Sequence, residues 1–440
     1  MTGAVWLEGL AADCAGAPLP DSLAGWREDL PDTLRELVNR VATAGGGIWL
    51  VGGSVREALL GRGAYDHDLA TTLHPDQVIE IFPRAIPTGA AFGTVTVRIG
   101  EDSDHYEVTT LRSEGTYGDG RRPDKVDYSE SLLEDLSRRD FTINAIAVDL
   151  ARSQIHDPFG GMDDLDEQVL QAVGIASERL GEDGLRLMRG YRFMDQGAQG
   201  VWAPDPALSA ALIECGHMLQ HVAAERVWSE FKRILAGWNA AQVLERMRVD
   251  GMLSRIFPGW DADLAAQHVL RAPKGEVAIC RLVLLAADVD HARWRRLDHD
   301  MRELTLSNRD REHILEVHRL LGQLPDDVAE TRRYRFAVGD RIESHLAVED
   351  VLRPEASAEA RAALAVLPAL RGGDKPLVDG HQLARAAEMP MGRRLGRLKS
   401  WLHRMQIELD LDDTEEILGL LDIIDWQNGD AESWPGPEWP

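Results

Sequence analysis

Two acidic residues separated by one position, Asp66 and Asp68, follow a glycine turn and are the residues best suited to chemistry. A β-strand directs residues i and i+2 to the same face, so a strand here brings the two carboxylates together. Glu107, on a later predicted strand, can add or support a third catalytic carboxylate. Carboxylate oxygens are ligands that Mg²⁺ prefers in proteins. The pattern favours a divalent-metal site, although paired acids and a lone strand glutamate also occur on ordinary surfaces.

The segment ahead of these acids reads as a strand, a glycine turn and a helix. Residues 48–51 are apolar, a Gly-Gly pair ends at Gly53, and Ser54 is the predicted N-cap of a helix over 55–60. Backbone N–H groups at such a turn hold phosphates, and Arg56 adds positive charge. Carboxylates for a divalent metal beside a phosphate cradle are the equipment of phosphoryl or nucleotidyl transfer.

A dense polar run, EDLSRRDFTINA at residues 134–145, precedes a predicted apolar strand. Arg138 and Arg139 at the end of a helix are placed to meet a triphosphate. Asp140 and Asn144 carry groups that bond a ribose. The alternative is a helix C-terminus whose arginines offset the helix dipole, and the run by itself leaves both interpretations open.

A predicted helix within residues 182–193 carries Asp183, Arg186, Arg189 and Arg192. Asp183 and Arg186 are neighbours at i and i+3. An ionised aspartate only accepts hydrogen bonds and an arginine only donates them, so the pair matches a base edge with an amino donor beside a ring-nitrogen acceptor. Cytosine and adenine present that edge, whereas guanine and uracil would leave polar groups mismatched. The alternative is an ordinary helix salt bridge, with Arg189 and Arg192 reaching phosphates or orienting Asp183.

The first third of the chain divides into a helical beginning and a β-rich part that must position these residues. Residues 1–46 are expected to be helical, and residues 47–157 alternate strands with short helices. Thr and Val content predicts strands over 93–99 and 105–111. A polar, glycine-bearing segment at 113–128 is expected to be a mobile loop.

The rest of the chain, from about residue 165, has the apolar spacing of helices. This spacing is clear over 223–235 and 377–421. The segment 427–440 is rich in proline, glycine and acids, and is expected to be disordered. The fold class is therefore α+β, with a mixed sheet and its helices followed by an all-α remainder.

The charge of the chain opposes general binding to nucleic acid. The net charge is −26, from 48 Lys and Arg against 74 Asp and Glu. Binding of RNA would need local basic surfaces, and the positive charge is indeed concentrated in arginine clusters. The alternative is that these arginines pair with the surplus acids. Three scattered cysteines, no signal peptide and no membrane-spanning apolar run favour a reducing cytoplasm.

Taken in order, the motifs resemble the class II CCA-adding tRNA nucleotidyltransferases, a family that includes bacterial poly(A) polymerases. The resemblance is carried by GGSVREALLGRGAYDHDLATT, YEVTTLR, EDLSRRDFTINAIAVD, HDPFGGMDDL and EDGLRLMRGYRF, with weaker similarity over residues 223–235 and 379–398. It implies a polymerase-β-like nucleotidyltransferase head followed by an all-α neck, body and tail. The expected boundaries are an extension at 1–46, a head at 47–157, a neck at 158–240, a body at 241–340, a tail at 341–426 and a disordered acidic end at 427–440.

The resemblance also implies roles for individual residues. Asp66 and Asp68 become Mg²⁺ ligands, and Asp183 and Arg186 become the base-selecting pair. The further nucleotide-binding residues are Gly53, Ser54, Arg56, Arg139, Asp140, Asn144, Arg189 and Arg192. Glu57 departs from the aspartate that is usual at this position in the family, which is a conservative change.

The activity implied is repair or synthesis of the 3′-CCA end of tRNA from CTP and ATP without a nucleic acid template. The partner is the tRNA acceptor arm, with no membrane, and the oligomeric state stays open. The loop at 113–128 argues against a CC-adding member but does not exclude an A-adding one. The acidic C-terminal end disfavours a poly(A) polymerase. A catalytically idle tRNA-binding protein is a further alternative, disfavoured by the intact acids and arginines.

Overall fold

The computed structural model describes residues 5–63, 66–100, 104–113, 127–258, 260, 265–288, 294–428 and 430–440. The chain forms two compact units. The first contains Met1–Phe231, Gly237–Asn239 and Arg246–Ile256, and the second contains Lys232–Ala236, Ala240–Glu245 and Phe257–Pro440.

A mixed sheet organises the first unit. Its strands are β1 (Ala17–Pro18), β2 (Ile48–Val51), β3 (Asp68–Thr71), β4 (Ile86–Gly89), β5 (Thr94–Ile99), β6 (Asp104–Thr110), β7 (Ala147–Asp149) and β8 (Gln154–His156). Within the described residues these eight strands pair in the order β1-β8-β7-β2-β3-β6-β5-β4. The β3–β6 pair is parallel and the others are antiparallel. Two further short strands, β9 (Val169–Leu170) and β10 (Ala203–Pro204), form a separate parallel pair.

Helices accompany the sheet and then dominate the chain. Those that begin before residue 230 are α1 (Asp21–Glu28), α2 (Asp32–Thr43), α3 (Gly53–Leu59), α4 (Pro75–Ile81), α5 (Leu132–Ser137), α6 (Gly161–Glu167), α7 (Ala176–Glu182), α8 (Leu185–Met194), α9 (Pro206–Glu214) and α10 (Ala224–Leu235). Those beyond are α11 (Ala240–Val249), α12 (Met252–Ile256), α13 (Val277–Leu285), α14 (Trp294–Glu303), α15 (Asn308–Leu320), α16 (Val328–Val338), α17 (Ile342–Leu352), α18 (Pro354–Val366), α19 (Gly380–Ala386), α20 (Arg393–Leu409) and α21 (Thr414–Gly419). The architecture is the predicted α+β class with a helical remainder.

The strand β2 is at the centre of the sheet, and all its residues are buried. Trp49 and Val51 pack in one cluster with Leu111 and Leu136. A continuous apolar run is typical of a strand covered on both faces, which is why this segment was predictable. The buried strand fixes the position of the glycine turn that follows it.

The N-terminal extension is helical over α1 and α2, but it also contributes a strand. Ala17 and Pro18 pair antiparallel with Ile155 and Gln154 at the edge of the sheet. Two residues carry too little periodicity for a sequence pattern to reveal a strand. The expectation of a purely helical extension was therefore incomplete.

The C-terminal end was expected to be disordered, and this expectation was wrong. Residues Ala431–Ser433 form a 3₁₀ turn. Trp434 and Trp439 are buried, with relative exposures of 7% and 4%. The Trp439 Nε1–H donates to the Gln323 carbonyl at 2.8 Å. Two tryptophans bury enough apolar surface to order a short polar segment, which composition alone does not reveal.

Three further expectations concern the loop at 113–128, the cysteines and membrane-spanning helices. Residues 114–126 of the expected loop lie outside them, but Arg112 and Tyr128 at its base form an antiparallel bridge. Cys14, Cys215 and Cys280 are all free. Among the helices that the structure describes, none is both long and apolar enough to cross a membrane.

Candidate active site

The acidic residues lie at the start of β3 and in the middle of its parallel neighbour β6. Asp68 is the first residue of β3, and its register partner in β6 is Glu107. Register partners in neighbouring strands share a face of the sheet, and both side chains are accessible. Asp66 precedes the strand rather than lying on it, so the predicted strand began too early. It is nonetheless near enough to Asp68 to act on its titration.

The electrostatics of Asp68 indicate a site that needs a cation. Asp68 is accessible at one side, but its partial desolvation beside the sheet raises its pKa. The charges of Glu107 and Asp66 raise this pKa further, and Arg139 opposes them. A carboxylate crowded by other carboxylates is stabilised when a dication arrives. In the described part of the chain no three His, Cys, Asp or Glu side chains are already gathered around an ion position. Two carboxylates suffice for Mg²⁺ when substrate phosphates and water complete its shell, so the residues fit such an ion.

The glycine turn brings the helix α3 against the arginines of the site. Gly52 adopts φ +70° and ψ −128°, a conformation that side-chain-bearing residues rarely adopt, and α3 begins at Gly53. A Cβ on Gly52 would lie 3.0 Å from Nη1 of Arg139. The prediction of Ser54 as N-cap was wrong, because Gly52 precedes the helix and Ser54 lies within it. The Ser54 hydroxyl donates to the Val51 carbonyl at 3.3 Å.

Arg56 and Arg139 approach the same residue, Asn144. The Nη1 of Arg56 donates to Oδ1 of Asn144, and Nη1 of Arg139 donates to its backbone carbonyl at 3.3 Å. Arg56 is also paired with Glu57 at 2.8 Å, and Arg139 bonds Asp135 at 3.1 Å. The protein thus holds both guanidinium groups in place around the glycine turn. Asp135 was not predicted, although it lies four residues before Arg139, which follows the end of α5, and this spacing was a usable signal.

Asp140 is buried and accepts hydrogen bonds from several groups of the site. Its Oδ1 accepts from Nδ2 of Asn144 at 3.0 Å, and its Oδ2 accepts from Nε of Arg189 at 2.6 Å. Burial alone would raise the pKa of Asp140, but the charge of Arg189 and the bonds from Asn144, Arg189 and Phe141 N–H outweigh it and lower the pKa. Asp140 and Asn144 therefore bond protein groups here. Their contact with a ribose stays a prediction.

The predicted base-selecting pair is arranged differently from the sequence interpretation. Asp183 is not on the helix with Arg186, because it is the extended residue between α7 and α8. Its Oδ1 accepts from the Leu185 N–H at 3.0 Å, and its Oδ2 pairs with Arg226 at 2.9 Å. The next residue, Gly184, lets the Met218 backbone approach closely, since a Cβ there would lie 2.5 Å from the Met218 carbonyl oxygen. The expected i, i+3 helical contact was wrong.

Arg186 is buried and bonds three acceptors. It donates to the Arg179 carbonyl at 2.7 Å, to the Arg138 carbonyl at 2.8 Å and to the carboxylate of Glu182. Its bond to Arg138 places the α8 guanidinium directly beside the end of α5. Asp183 and Arg186 are close in the chain, but each has protein partners in this structure. Their joint reading of a base stays a prediction.

Arg189 and Arg192 surround an aromatic ring that the sequence patterns did not single out. The guanidinium carbons of Arg189 and Arg192 lie 5.2 and 4.1 Å from the ring centre of Phe193, and that of Arg56 lies at 4.9 Å. Glu230, buried on α10, accepts from Arg192 at 2.5 Å and lies 3.8 Å from Arg189. A ring face and a buried acid together hold three like charges at close range. Glu230 lies in segment 223–235, where the sequence resembles the family more weakly. Its contacts with Arg189 and Arg192 could not be predicted from that resemblance.

Two family models and several curated relatives match parts of this chain. Residues 48–171 match the model described as the poly A polymerase head domain, and residues 203–264 match a probable RNA and SrmB-binding site of polymerase A. The CCA-adding enzyme of Streptococcus sanguinis is 42% identical over 229 residues, which are 51% of this chain and 56% of that protein. That of Anoxybacillus flavithermus is 47% identical over 189 residues, 43% of this chain and 46% of that protein. The chain thus spans about half the length of the curated relatives it matches.

Solved structures extend the likeness over nearly the whole chain. The CCA-adding enzyme of Bacillus stearothermophilus in complex with CTP has a TM-score of 0.68 and 26% identity, covering 92% of this chain and 98% of that one. The Thermotoga maritima CCA-adding enzyme complexed with tRNA has a TM-score of 0.66 at 19% identity, covering 91% and 98%, and supports the fold alone. Enzymes of this kind generally use a divalent metal. The chain is therefore similar to poly A polymerase head domains over residues 48–171, and it shares its overall fold with CCA-adding enzymes.

Proposed function

We propose that this protein adds or repairs the 3′-terminal CCA of tRNA, using CTP and ATP and no nucleic acid template. The observation that carries the proposal is the placement of Asp68 and Glu107 in register on one face of the sheet, beside Arg56 and Arg139 at the glycine turn. The acids fit a divalent ion and the arginines fit a triphosphate. The relatives named CCA-adding enzymes support the choice of substrate.

The reaction is an in-line displacement at the nucleotide α-phosphorus. The oxygen of the tRNA 3′-hydroxyl bonds to that phosphorus and loses its proton, while the bond to the β-phosphate bridging oxygen breaks and pyrophosphate leaves. Asp66 and Asp68 would hold Mg²⁺, which when bound neutralises phosphate charge and favours the deprotonated hydroxyl. Arg56, Arg139 and the backbone at Gly53 would orient the triphosphate, with Ser54 supporting the turn from within the helix.

Base choice would come from the hinge between α7 and α8. Asp183 accepts and Arg186 donates, so together they complement cytosine and adenine but not guanine or uracil. This requires their present bonds to Arg226, Glu182 and backbone carbonyls to rearrange or be shared when the nucleotide enters. Variants Asp183→Ala and Arg186→Ala should incorporate UTP or GTP more readily. Unchanged selectivity in both would refute the base-reading role.

Helical segments of the chain would bind the tRNA by shape and by phosphate contacts. The two segments proposed are residues 293–296 and 393–397. Arg293 lies outside the described residues, and Arg296 bonds the Pro258 carbonyl and lies 3.7 Å from Asp300. We also retain the prediction of a cytoplasmic location, with which the three free cysteines agree.

The test uses tRNA transcripts that end before CCA, after C and after CC, each with labelled CTP, ATP or both, and with Mg²⁺. Two C additions followed by one A on the shortest transcript would support the full activity. Addition of A only to the transcript ending in CC would identify an A-adding enzyme instead. Long A tracts on any RNA would indicate a poly(A) polymerase, and no incorporation would favour a tRNA-binding protein without activity. Asp66→Ala should abolish incorporation while tRNA binding persists, and retained turnover would contradict the metal assignment.

A further inference from the structure

Three arginines begin the long helix α20 and form what we call the arginine face, Arg393, Arg394 and Arg397. No acidic residue accompanies them in the first helical turn. Cations at a helix N-terminus are opposed by the helix dipole, so these arginines do not serve to stabilise the helix. Arg393 has a relative side-chain exposure of 82%. The positions are therefore suited to an anionic ligand.

The ligand found there is the chain's own C-terminal segment. Nε of Arg393 lies 2.9 Å from Oε1 of Glu432, and Nη2 of Arg397 lies 2.9 Å from Oε2 of the same carboxylate. Arg394 donates to the Trp426 and Gln427 carbonyls at 3.2 and 3.4 Å. One anionic group spanned by two guanidinium groups is the arrangement in which arginines also bind a phosphate.

The segment is held independently of this carboxylate. Trp434 is buried in a cluster with Leu395, Leu398 and Leu402, and the Arg394 guanidinium carbon lies 5.0 Å from the centre of its ring. Trp439 forms a second anchor through the Gln323 carbonyl. The Glu432 side chain can therefore leave the arginines while the two tryptophans keep the segment in place. Exposed ion pairs of this kind are weak and are screened by salt, so exchange with another anion is easy.

We propose that Glu432 occupies the arginine face as an intramolecular substitute for an RNA phosphate, and that RNA must displace it. Only the identity of the polyanion rests on the proposed function. In a chain of net charge −26, a carboxylate that neutralises a local basic surface lowers affinity for every polyanion and favours ligands that make further contacts. The C-terminal segment thus sets the affinity and the salt dependence of RNA binding.

The test is direct binding of a tRNA transcript, measured by fluorescence anisotropy from low to physiological salt. Glu432→Gln keeps the shape of the side chain and removes its charge. We expect about three- to tenfold tighter binding at low salt, and a salt dependence steeper by about one to two phosphate contacts. The matched control is Glu415→Gln, since Glu415 is exposed at the start of α21 and the same charge is removed away from the arginine face.

A combined variant separates the local contact from net charge. Arg393→Gln with Arg397→Gln should remove the gain caused by Glu432→Gln, because the carboxylate then has no cations to release. Equal effects of Glu432→Gln and Glu415→Gln, or no effect of either, would overturn the proposal. Binding does not require incorporation, so a failure of the proposed catalytic function would leave this result intact and distinguishable. Thermal unfolding of each variant establishes that the second unit remains folded.

Discussion

At the scale of single residues, the site contains several carboxylates and several guanidinium groups, and the two sets differ in how fully their charges are paired. The negative charges of Glu107 and Asp66 raise the pKa of Asp68, and the positive charge of Arg139 opposes them. In contrast, Arg189 is paired with the buried Asp140, and Arg192 is paired with the buried Glu230. This arrangement supports the proposal that the acids bind a metal ion and that neighbouring arginines bind a triphosphate.

Asp68→Asn should raise thermal stability in metal-free buffer while it abolishes activity. The pKa of Asp68 is raised above its ordinary 3.8, so the folded protein holds this proton more tightly than the unfolded chain. The free energy of unfolding therefore falls as pH rises from the ordinary pKa to the raised pKa of the folded protein. This loss of stability persists at neutral pH. We expect a higher melting temperature for the variant at pH 7, with convergence of the two proteins below about pH 4. Incorporation should fall by at least about a hundredfold.

Metal addition provides the control for this prediction. Mg²⁺ should raise the melting temperature of the unchanged protein more than that of Asp68→Asn, because only the former presents both carboxylates. Equal shifts would show that the ion acts elsewhere. A variant less stable than the unchanged protein at pH 7 would contradict the argument from repulsion.

Asp140→Asn should weaken the support of Arg189 and show the opposite pH dependence. The pKa of Asp140 is lowered in the folded protein, so its stabilising contribution is present above the ordinary value of 3.8 and is lost as pH falls through the folded pKa. At pH 7 we expect about 2 kcal/mol lower opening free energy for α8, measured by hydrogen exchange of its amides. The difference should disappear in acid. A difference that grew as the pH was lowered would refute the role of the ionised carboxylate.

At the scale of elements, the glycine turn between β2 and α3 couples the sheet to Arg139. Its conformation at Gly52 is accessible mainly to glycine, and any Cβ there meets the Arg139 guanidinium. The glycine therefore both permits the backbone conformation of the turn and leaves room for the Arg139 guanidinium. This double requirement explains why a glycine is needed where an ordinary helix start accepts many residues.

Gly52→Ala should lower stability by about 1–2 kcal/mol and weaken CTP binding about tenfold. The matched control is Gly61→Ala, since Gly61 also has a positive φ, of 69°, but its added Cβ would meet nothing within 4 Å. The control should lose stability to a similar degree without a change in CTP affinity. Isothermal titration with CTP and thermal unfolding measure the two effects. Equal losses of affinity in both variants would show that strain alone, and not the Arg139 contact, is responsible.

At the scale of the whole molecule, the arginine clusters serve different purposes. Arg332 and Arg335 donate to carbonyls of Glu408 and Leu367, at 2.9 Å in each case, and Arg333 pairs with Glu408 at 3.2 Å. These bonds connect segments of the second unit. The salt-bridge interpretation applies to Arg333 and to Arg332, which lies 3.8 Å from Asp410, whereas Arg335 bonds backbone carbonyls. The cluster at the start of α20 is exposed by comparison. The two arginine clusters therefore differ in their neighbouring groups and not in their number of arginines.

Trp439→Ala should destabilise the second unit by about 3 kcal/mol. The ring of Trp439 lies 5.4 Å from that of Tyr334 and 4.9 Å from the Arg333 guanidinium carbon, and the variant also loses the bond to Gln323. Hydrogen exchange over α16 gives the local opening free energy and does not require the two units to unfold together. Trp238→Ala is the control, because Trp238 is 78% exposed and its loss should change stability by less than about 0.5 kcal/mol. Unchanged protection of α16 in Trp439→Ala would indicate that the C-terminal segment is only loosely attached.

The sequence by itself determined the elements and the chemistry of the site. The apolar run at 48–51, the alternating strands near 94–99 and 104–110 and the 3.6-residue spacing at 224–235 are local signals, and each element formed where it was predicted. The acids and arginines were singled out by their order along the chain, because each motif taken alone also has an ordinary structural explanation. The Gly-Gly pair also located the turn, although the helix α3 begins two residues earlier than predicted.

Only the tertiary structure decided which side chains meet. The pairing of Asp68 with Glu107 depends on a parallel register between strands that are not consecutive in the chain. Asp183 is extended and pairs with Arg226, a residue 43 positions away. The ordering of the C-terminal segment likewise depends on two tryptophans finding pockets made by other helices. These outcomes are set by packing between distant segments, whose free energy no local pattern contains. The sequence therefore fixes the available groups, while the fold decides their partners and their pKa values.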